Sequence, residues 1–310
     1  MPYRRYYQIG EITIQVESDL PITDTTFRPK FKLFEVDGPG EDNVVIRHHF
    51  SPFDFENERL GQRVYRKAPW AIYRREDSWL YLGVSPTMKD TEASDVGVLS
   101  DDHTQARMYH AREDVFRKGD LHSLSMFTTD QILLARLLAD RQGCYLHSAG
   151  AILDGQGLLF VGHSEAGKST ISKMLTDQDL TGFGNLSGLH IEVLCDDRNI
   201  VRRWPEGWRV YGTWSHGEWP VVSASFAPLR AIMFLEQAAE NRLTPLDGDR
   251  EREIVPRLLA CLITPFVTAD WWDKSLTLVE QMAREVDCYR LRFDKSGSVV
   301  DVLREAFGEE

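Results

Sequence analysis

The sequence predicts a mixed α/β fold, with a β-rich region over residues 1–125 followed by an α/β domain with a mixed sheet over residues 126–310. Short segments of period-two hydrophobicity dominate the first region, as expected for half-buried strands. Amphipathic helical segments alternate with apolar runs only in the second. There, a buried-strand pattern at residues 157–161 leads through a glycine-rich turn into a helical pattern.

The β-rich region opens with residues 7–16, whose strict alternation predicts one half-buried strand. The segments that share this character are residues 31–36, 43–48, 70–73 and 78–83. Turn-forming residues such as Asp37-Gly-Pro-Gly40 separate them. The region carries no recognisable chemistry, and its aromatic strands suggest that it docks a substrate peptide or partner by strand addition.

The second domain begins with a helix over residues 128–141, which Gly143 ends. Strands are predicted at residues 144–153, 157–161, 190–197, 200–203, 208–211, 228–236 and 288–293, and helices from residue 169 and at residues 251–262, 275–284 and 298–307. Asp154-Gly155 between two apolar runs predicts a hairpin. An antiparallel hairpin therefore leads into the glycine-rich turn, unlike the parallel entry of Ras-like and adenylate-kinase-like proteins.

The glycine-rich turn has the pattern G-x-x-x-x-G-K-S at residues 162–169, and each residue type in it has a physical role. Gly162 and Gly167 permit backbone dihedral angles that turn N–H groups toward phosphate oxygens. Lys168 supplies positive charge for the β- and γ-phosphates, and Ser169 supplies a hydroxyl for Mg²⁺ at the positive end of a helix. The residues expected to contact the nucleotide are Gly162, His163, Ser164, Glu165, Ala166, Gly167, Lys168, Ser169 and Thr170. The pattern predicts a nucleoside triphosphate site; the alternative is an ordinary glycine-rich strand-to-helix turn.

A second candidate feature is the acidic pair Asp196 and Asp197 at the end of a predicted strand. A phosphate-binding loop needs a carboxylate on a neighbouring strand to hold Mg²⁺ or its water. We expect Asp196 near the acceptor hydroxyl as general base, and Asp197 with Ser169 near the metal. The alternative is a solvated Asp-Asp turn that caps the strand.

Three further groups are open to two interpretations each. His147, in the strand before the hairpin, is either a hydrogen-bonded core histidine or a catalytic residue. Residues 214–219, rich in tryptophan and polar groups, either cover a substrate or form a surface turn. Arg198, Arg202 and Arg203 follow the carboxylates, and either one of them meets phosphate or they form salt bridges that flank the strand.

Composition limits the classes of partner and compartment. A net charge of −12 leaves no basic face, so nucleic-acid binding is not expected. The four cysteines lack C-x-x-C spacing, which favours a reducing compartment over a zinc site or a disulfide framework. The N-terminus lacks the apolar segment of a signal peptide, and no apolar run reaches the length of a membrane span. We expect a cytoplasmic protein without a membrane partner, and the sequence leaves open whether it forms a homo-oligomer.

Together, residues 146–150 (LHSAG), the hairpin, residues 162–169 (GHSEAGKS) and residues 195–198 (CDDR) resemble the HPr serine kinase/phosphorylase family and its bacterial relatives. The resemblance covers about residues 130–300 and implies the phosphoenolpyruvate carboxykinase-like P-loop fold. It also implies that the loop binds ATP with Mg²⁺, that Asp196 is the base and that His147 is functional. Thr170 stands where the bifunctional enzymes carry an acidic residue, and their C-terminal signature has no clear equivalent. Phosphorylase activity and a hexamer are therefore not expected.

These observations predict a phosphotransferase: an ATP-dependent serine kinase that acts on a protein or peptide. Lys168 and Mg²⁺ would neutralise charge on the γ-phosphate while Asp196 deprotonates the acceptor hydroxyl. One alternative is a nucleotide-binding regulator or scaffold with little turnover, and another is a kinase for a small hydroxy compound. A carboxykinase-like enzyme is a further alternative, but its second-metal cluster and oxaloacetate-binding arginine have no clear match.

Overall fold

The computed structural model describes residues 2–163, 165–180, 190–265 and 268–308. The chain forms two compact units, Met1–Leu137 and Leu138–Glu310. The division falls inside the helix Gln131–Ala139, which the sequence places at the start of the second domain. The functional boundary at residues 125 and 126 stays a prediction. None of the described helices combines the length and the apolar character needed to cross a bilayer.

In the described part of the first unit, nine strands form one mixed sheet. They are β1 (Tyr3–Ile9), β2 (Ile12–Ser18), β3 (Glu35–Val36), β4 (Asn43–His49), β5 (Gln62–Lys67), β6 (Trp70–Arg74), β7 (Ser78–Gly83), β8 (Asp95–Ser100) and β9 (Gln105–His110), and two helices follow, α1 (Asp114–Lys118) and α2 (Gln131–Ala139). The strand order is β3-β1-β2-β4-β9-β8-β7-β6-β5. The β2–β4 and β4–β9 pairs are parallel and the others are antiparallel.

Two sequence predictions for this unit were wrong. Residues 7–16 do not form one strand, because Gly10 and Glu11 both adopt left-handed backbone angles (φ 54° and 60°) and fold the segment into the β1–β2 hairpin. Most of residues 31–36 forms a 3₁₀ helix, Pro29–Phe34, before the short strand β3. Phe31 and Phe34 are both buried at a spacing of three, which is the period of that helix.

The second unit holds a mixed sheet of eight strands within its described residues. They are β10 (Gly143–Leu153), β11 (Gln156–Val161), β12 (Ile191–Cys195), β13 (Arg198–Trp204), β14 (Gly207–Tyr211), β15 (Phe226–Gln237), β16 (Arg242–Pro245) and β17 (Asp287–Phe293), with helices α3 (Lys168–Leu180), α4 (Arg250–Cys261), α5 (Ala269–Glu285) and α6 (Val299–Phe307). The predicted Asp154-Gly155 hairpin is confirmed, since both residues have positive φ between β10 and β11. Strand β11 also pairs in parallel with β15, and β15 with β17.

Strand β11 is buried on both faces of this sheet. Leu159 and Val161 belong to the apolar core that includes α4 and α5. Leu158 and Phe160 belong to the opposite core, which includes α3 and α6. Burial on both faces explains why these four residues form a continuous apolar run rather than an alternating one. The glycine-rich turn therefore leaves a strand in the interior of the unit.

Candidate functional site

The turn at residues 162–169 joins β11 to α3, and its glycines are needed where they stand. Gly167 has a φ of 103°, and a Cβ atom there would lie 2.5 Å from Phe293 Cζ. A Cβ atom at Gly162 would lie 2.5 Å from the Cβ of Ala166. Backbone conformation and space thus both require glycine at Gly167, and space alone requires it at Gly162. Ser164 lies outside the described residues.

The ammonium group of Lys168 lies at the centre of the turn. Its Nζ donates to the carbonyl oxygens of Gly162 at 2.8 Å and His163 at 2.9 Å. Only 7% of the residue is exposed. Burial lowers the pKa of Lys168, while neighbouring Cys261 and Asp197 act to raise it. A positive charge with little solvent around it is well suited to bind an anion, because screening by water is weak there.

The other expected contacts of the turn differ in their surroundings. The side chains of His163 and Glu165 are exposed, and Thr170 is half-buried in the first turn of α3. Glu165 has a left-handed φ of 68°, and its carbonyl oxygen accepts a hydrogen bond from Gln237 at 2.7 Å. Ala166 is buried and its N–H donates to the carbonyl oxygen of His163 at 3.2 Å. These contacts hold the turn in a compact ring.

The carboxylate of Asp196 is hydrogen-bonded to the glycine-rich turn. Ser169 Oγ donates to Asp196 Oδ2 at 2.8 Å. The backbone N–H groups of Gly217 and Trp219 also donate to this carboxylate, at 2.8 Å and 3.2 Å. Asp196 is 2% exposed. It is therefore a buried carboxylate with donors on both oxygens, in contact with the serine expected at the metal.

The carboxylate of Asp197 has different partners. His147 Nε2 lies 3.4 Å from Asp197 Oδ1, and the Arg198 guanidinium forms an ion pair with Oδ2. Burial alone would raise the pKa of Asp197, but the hydrogen bond with His147 and the charges of Arg198 and Lys168 hold it below its usual value. Asp197 is thus kept ionised next to a histidine that is 30% exposed at its side chain.

Strand pairing explains why these groups meet. Strand β10 pairs first with β13 and then with β12, and its register places His147 opposite Arg198. Asp196 and Asp197 occupy the two positions between β12 and β13. The N–H of Ser148 donates to the carbonyl oxygen of Asp197 at 3.0 Å, and this hydrogen bond connects β10 to the two-residue break between β12 and β13. Asp196 and Asp197, here named the acidic turn, are therefore hydrogen-bonded to β10, and Asp196 is buried and not a solvated cap on a strand.

Several buried polar residues to which sequence reasoning gave no role support this turn. Asn199 Nδ2 donates to the Ser148 carbonyl oxygen at 2.9 Å. Thr213 Oγ1 donates to the Arg198 carbonyl oxygen at 2.6 Å, and the Cys195 thiol donates to the same oxygen at 2.9 Å. All three supporting residues are fully buried. A polar residue within an apolar strand pattern, such as Asn199 before Ile200, is the sequence signal that marks such support.

The oxygen atoms of Ser169 and Asp196 suit a magnesium ion. Neighbouring ligands of an octahedral Mg²⁺ lie about 2.9 Å apart, given metal–oxygen distances of about 2.0–2.1 Å. The observed separation of 2.8 Å is that of a hydrogen bond from the Ser169 hydroxyl, so the two oxygen atoms already lie next to each other without a metal. Within the described ranges no group of three or more His, Cys, Asp or Glu side chains could hold a metal alone. Mg²⁺ commonly takes one or two protein ligands and completes its shell with water and substrate phosphates.

Comparisons with known proteins add little information about the function of this site. No family model matches the chain. No curated protein matches it either. A solved structure, the Hpr(Ser) kinase/phosphatase from Coxiella burnetii, is similar over 52% of this chain and 97% of that chain, with 12% identity and a TM-score of 0.29. A similarity of this size carries no argument about function, which is therefore inferred from the geometry of the site.

Proposed function

We propose that this chain is an ATP-dependent kinase that transfers the γ-phosphate to a serine-type hydroxyl of a protein or peptide. The observation that carries the proposal is the pair of carboxylates at the β12–β13 break. One of them, Asp196, accepts a hydrogen bond from Ser169 of the glycine-rich turn, and the other, Asp197, has Oδ1 3.4 Å from Nε2 of His147. Phosphoryl transfer needs these two functions, one at the metal and one at the acceptor.

The nucleotide side of the site consists of the turn, Lys168 and the start of α3. N–H groups of the turn and the helix N-terminus would bind the phosphates, and Lys168 would exchange its carbonyl partners for phosphate oxygens. Ser169 would hold Mg²⁺ through its hydroxyl oxygen, with Asp196 as the acceptor of the hydroxyl hydrogen, and the metal would neutralise charge on the β- and γ-phosphates. The contact of a buried carboxylate with the serine of the glycine-rich turn supports this assignment of the metal side.

The acceptor side consists of Asp197, His147 and Arg198. Asp196 already accepts hydrogen bonds on both oxygens, from Gly217 on one and from Ser169 and Trp219 on the other. Asp197 is the more exposed carboxylate, at 14% of its side chain. These contacts favour Asp197 as the group that orients and deprotonates the acceptor, the reverse of the order expected from the sequence. The choice of a serine hydroxyl rests on the resemblance in sequence.

The proposal is tested by transfer of label from γ-labelled ATP with Mg²⁺ into a lysate of the source organism, with products read by mass. The wild type should label one serine-bearing product. Lys168→Ala should not label it, because it lacks the charge at the centre of the turn. The matched control is Lys295→Ala, an exposed lysine outside the turn, which should behave as the wild type. ATP binding without transfer to any product would contradict a kinase and favour a nucleotide-binding regulator.

A further inference from the structure

Residues 213–219, here named the clamp loop, contact the buried carboxylate of Asp196 through their backbone. Gly217 N–H donates to Oδ1 at 2.8 Å, and Trp219 N–H donates to Oδ2 at 3.2 Å. Asp196 is buried, but Gly217 itself is exposed. The loop therefore approaches the carboxylate from the solvent side and covers it.

Both ends of the clamp loop are fastened to the acidic turn. At its start, Thr213 Oγ1 donates to the Arg198 carbonyl oxygen at 2.6 Å and accepts from the Ser215 N–H at 3.2 Å. Just beyond its end, Val222 forms an isolated antiparallel bridge with Cys195. The residues immediately before and after the two aspartates are thus the anchors of the loop. Loop and acidic turn form one closed ring of contacts.

Gly217 is needed for close approach and not for an unusual backbone angle. A Cβ atom at this position would lie 3.2 Å from Asp196 Oδ2 and 3.6 Å from both Cγ and Oδ1. A distance of 3.2 Å is tighter than ordinary van der Waals contact, so the carboxylate or the loop would have to move. Because Gly217 is exposed, a methyl group there would disturb the carboxylate more than the fold.

We propose that Thr213 and Gly217 are positioning residues for the metal side of the site. N–H groups can only donate, so the clamp loop fixes Asp196 as an acceptor. Asp196 Oδ2 then takes the single hydrogen of the Ser169 hydroxyl, which leaves the lone pairs of Ser169 for Mg²⁺. Thr213 thus holds the clamp loop in position, the clamp loop orients Asp196, and Asp196 orients the hydroxyl of Ser169. The role of Mg²⁺ in this proposal rests on the proposed function. The orientation of Asp196 by the clamp loop does not depend on it.

The test compares Thr213→Val, which keeps the shape but loses the hydroxyl, with Thr213→Ser, which restores it. Gly217→Ala is a second variant at an exposed position, and Thr244→Val, a threonine of β16, is the matched control. The first readout is amide hydrogen exchange of residues 217–219 in the nucleotide-free full chain. Exchange should rise at least about tenfold in Thr213→Val and Gly217→Ala, and stay at the wild-type rate in Thr213→Ser and Thr244→Val.

The second readout is the Mg²⁺ dependence of ATP binding by calorimetry. Thr213→Val and Gly217→Ala should need about 10–100-fold more Mg²⁺ for half-maximal effect, the usual cost of removing an outer partner of a ligand. ATP affinity without Mg²⁺ should not change, which a general loss of structure would not reproduce. Unaltered exchange and unaltered Mg²⁺ dependence in both variants would overturn the proposal. Absence of ATP binding in the wild type would instead overturn the proposed function, and the exchange result would still decide whether the loop holds Asp196.

Discussion

Ser169 Oγ lies 2.8 Å from Asp196 Oδ2, although the two residues are 27 positions apart in the chain. Ser169 belongs to the first turn of α3, and Asp196 directly follows β12. Their hydrogen bond joins the glycine-rich turn to the acidic turn. Asp197, the next residue, turns toward His147 instead. The two adjacent carboxylates thus have separate sets of partners, and the consequences for function can be measured.

The two aspartates should give different defects when each is replaced by asparagine. Asp196→Asn should weaken Mg²⁺-dependent ATP binding about 10–100-fold, because Asp196 contacts the metal-side serine. Asp197→Asn should leave ATP binding near the wild-type value and slow transfer about 10²–10⁴-fold, the usual contribution of a general base. Calorimetry and single-turnover transfer measure the two effects. The opposite pattern would restore the order expected from the sequence, with Asp196 as the base.

Gly167→Ala should abolish nucleotide binding, whereas Gly155→Ala should only reduce stability. Both glycines have left-handed φ angles, 103° and 79°, so alanine costs each about 1–2 kcal/mol in the free energy of unfolding. Only at Gly167 would the new methyl group also meet a ring, that of Phe293; nothing lies within 4 Å at Gly155. Equal loss of ATP affinity in both variants would show that general strain, and not the shape of the turn, is responsible.

Arg198→Gln should move the acid limb of the transfer rate to higher pH. The pKa of Asp197 lies below its ordinary value of 3.8 because His147, Arg198 and Lys168 together outweigh the effect of burial. The stabilising effect of the ionised carboxylate is therefore present above pH 3.8 and is lost as the pH falls through the lower folded pKa. Removing the guanidinium should raise the pKa of Asp197, so that protonation begins at a higher pH.

The measurement is the single-turnover rate from pH 8 down to about pH 3, so that the range reaches the lowered pKa of Asp197. Arg203→Gln is the matched control, because Arg203 pairs with Glu285 at the surface and not with the acidic turn. Its profile should match the wild type. An unchanged acid limb in Arg198→Gln would mean that the ionisation of Asp197 does not limit transfer.

His48, in the first unit, should make stability fall with acidification. Its ring is fully buried, with Nδ1 3.0 Å from His110 Nε2 and Nε2 2.9 Å from the Leu124 carbonyl oxygen. Burial and the neighbouring His110 lower the pKa of His48 from 6.5 to about 3. Between these values the unfolded chain binds a proton that the folded chain does not. The free energy of unfolding should therefore fall by about 1 kcal/mol for each pH unit between 6.5 and the folded pKa.

Urea unfolding of the full chain between pH 7 and 4 measures this slope. His48→Gln should remove the contribution, because the amide does not titrate in this range. His190→Gln, at an exposed position in the second unit, should retain the wild-type slope. Equal slopes in the wild type and in His48→Gln would contradict the assignment.

Local constraints explain which parts of the molecule could be predicted. The β10–β11 hairpin, the strand into the turn and the helix after it follow from Asp154-Gly155 and from a continuous apolar run, which are signals within a few residues. The hairpin of β1 and β2 was missed because the alternation of apolar residues continues through Gly10 and Glu11. The left-handed backbone angle of Glu11 does not change the alternation of apolar and polar residues, so the turn cannot be recognised from it.

Only the part of the site that is formed by characteristic side chains could be predicted from the sequence. The G-x-x-x-x-G-K-S pattern and the aspartate pair identify the candidate residues from the sequence alone. The hold of Gly217 and Trp219 on Asp196 could not be foreseen, because it uses backbone N–H groups, which every residue except proline has. The separate partners of Asp196 and Asp197 likewise depend on how β12 and β13 divide the edge of β10.

The ring of Phe293 against Gly167 bears on when this protein can first bind a ligand. Phe293 is the last residue of β17, which comes long after the turn and α3 in the order of synthesis. During synthesis, the complete glycine-rich turn leaves the ribosome well before the ring of Phe293, which packs against it. We expect the nascent chain to carry the motif without affinity for nucleotide until β17 has joined β15. Nucleotide affinity would then mark the completion of folding in this unit and not its beginning.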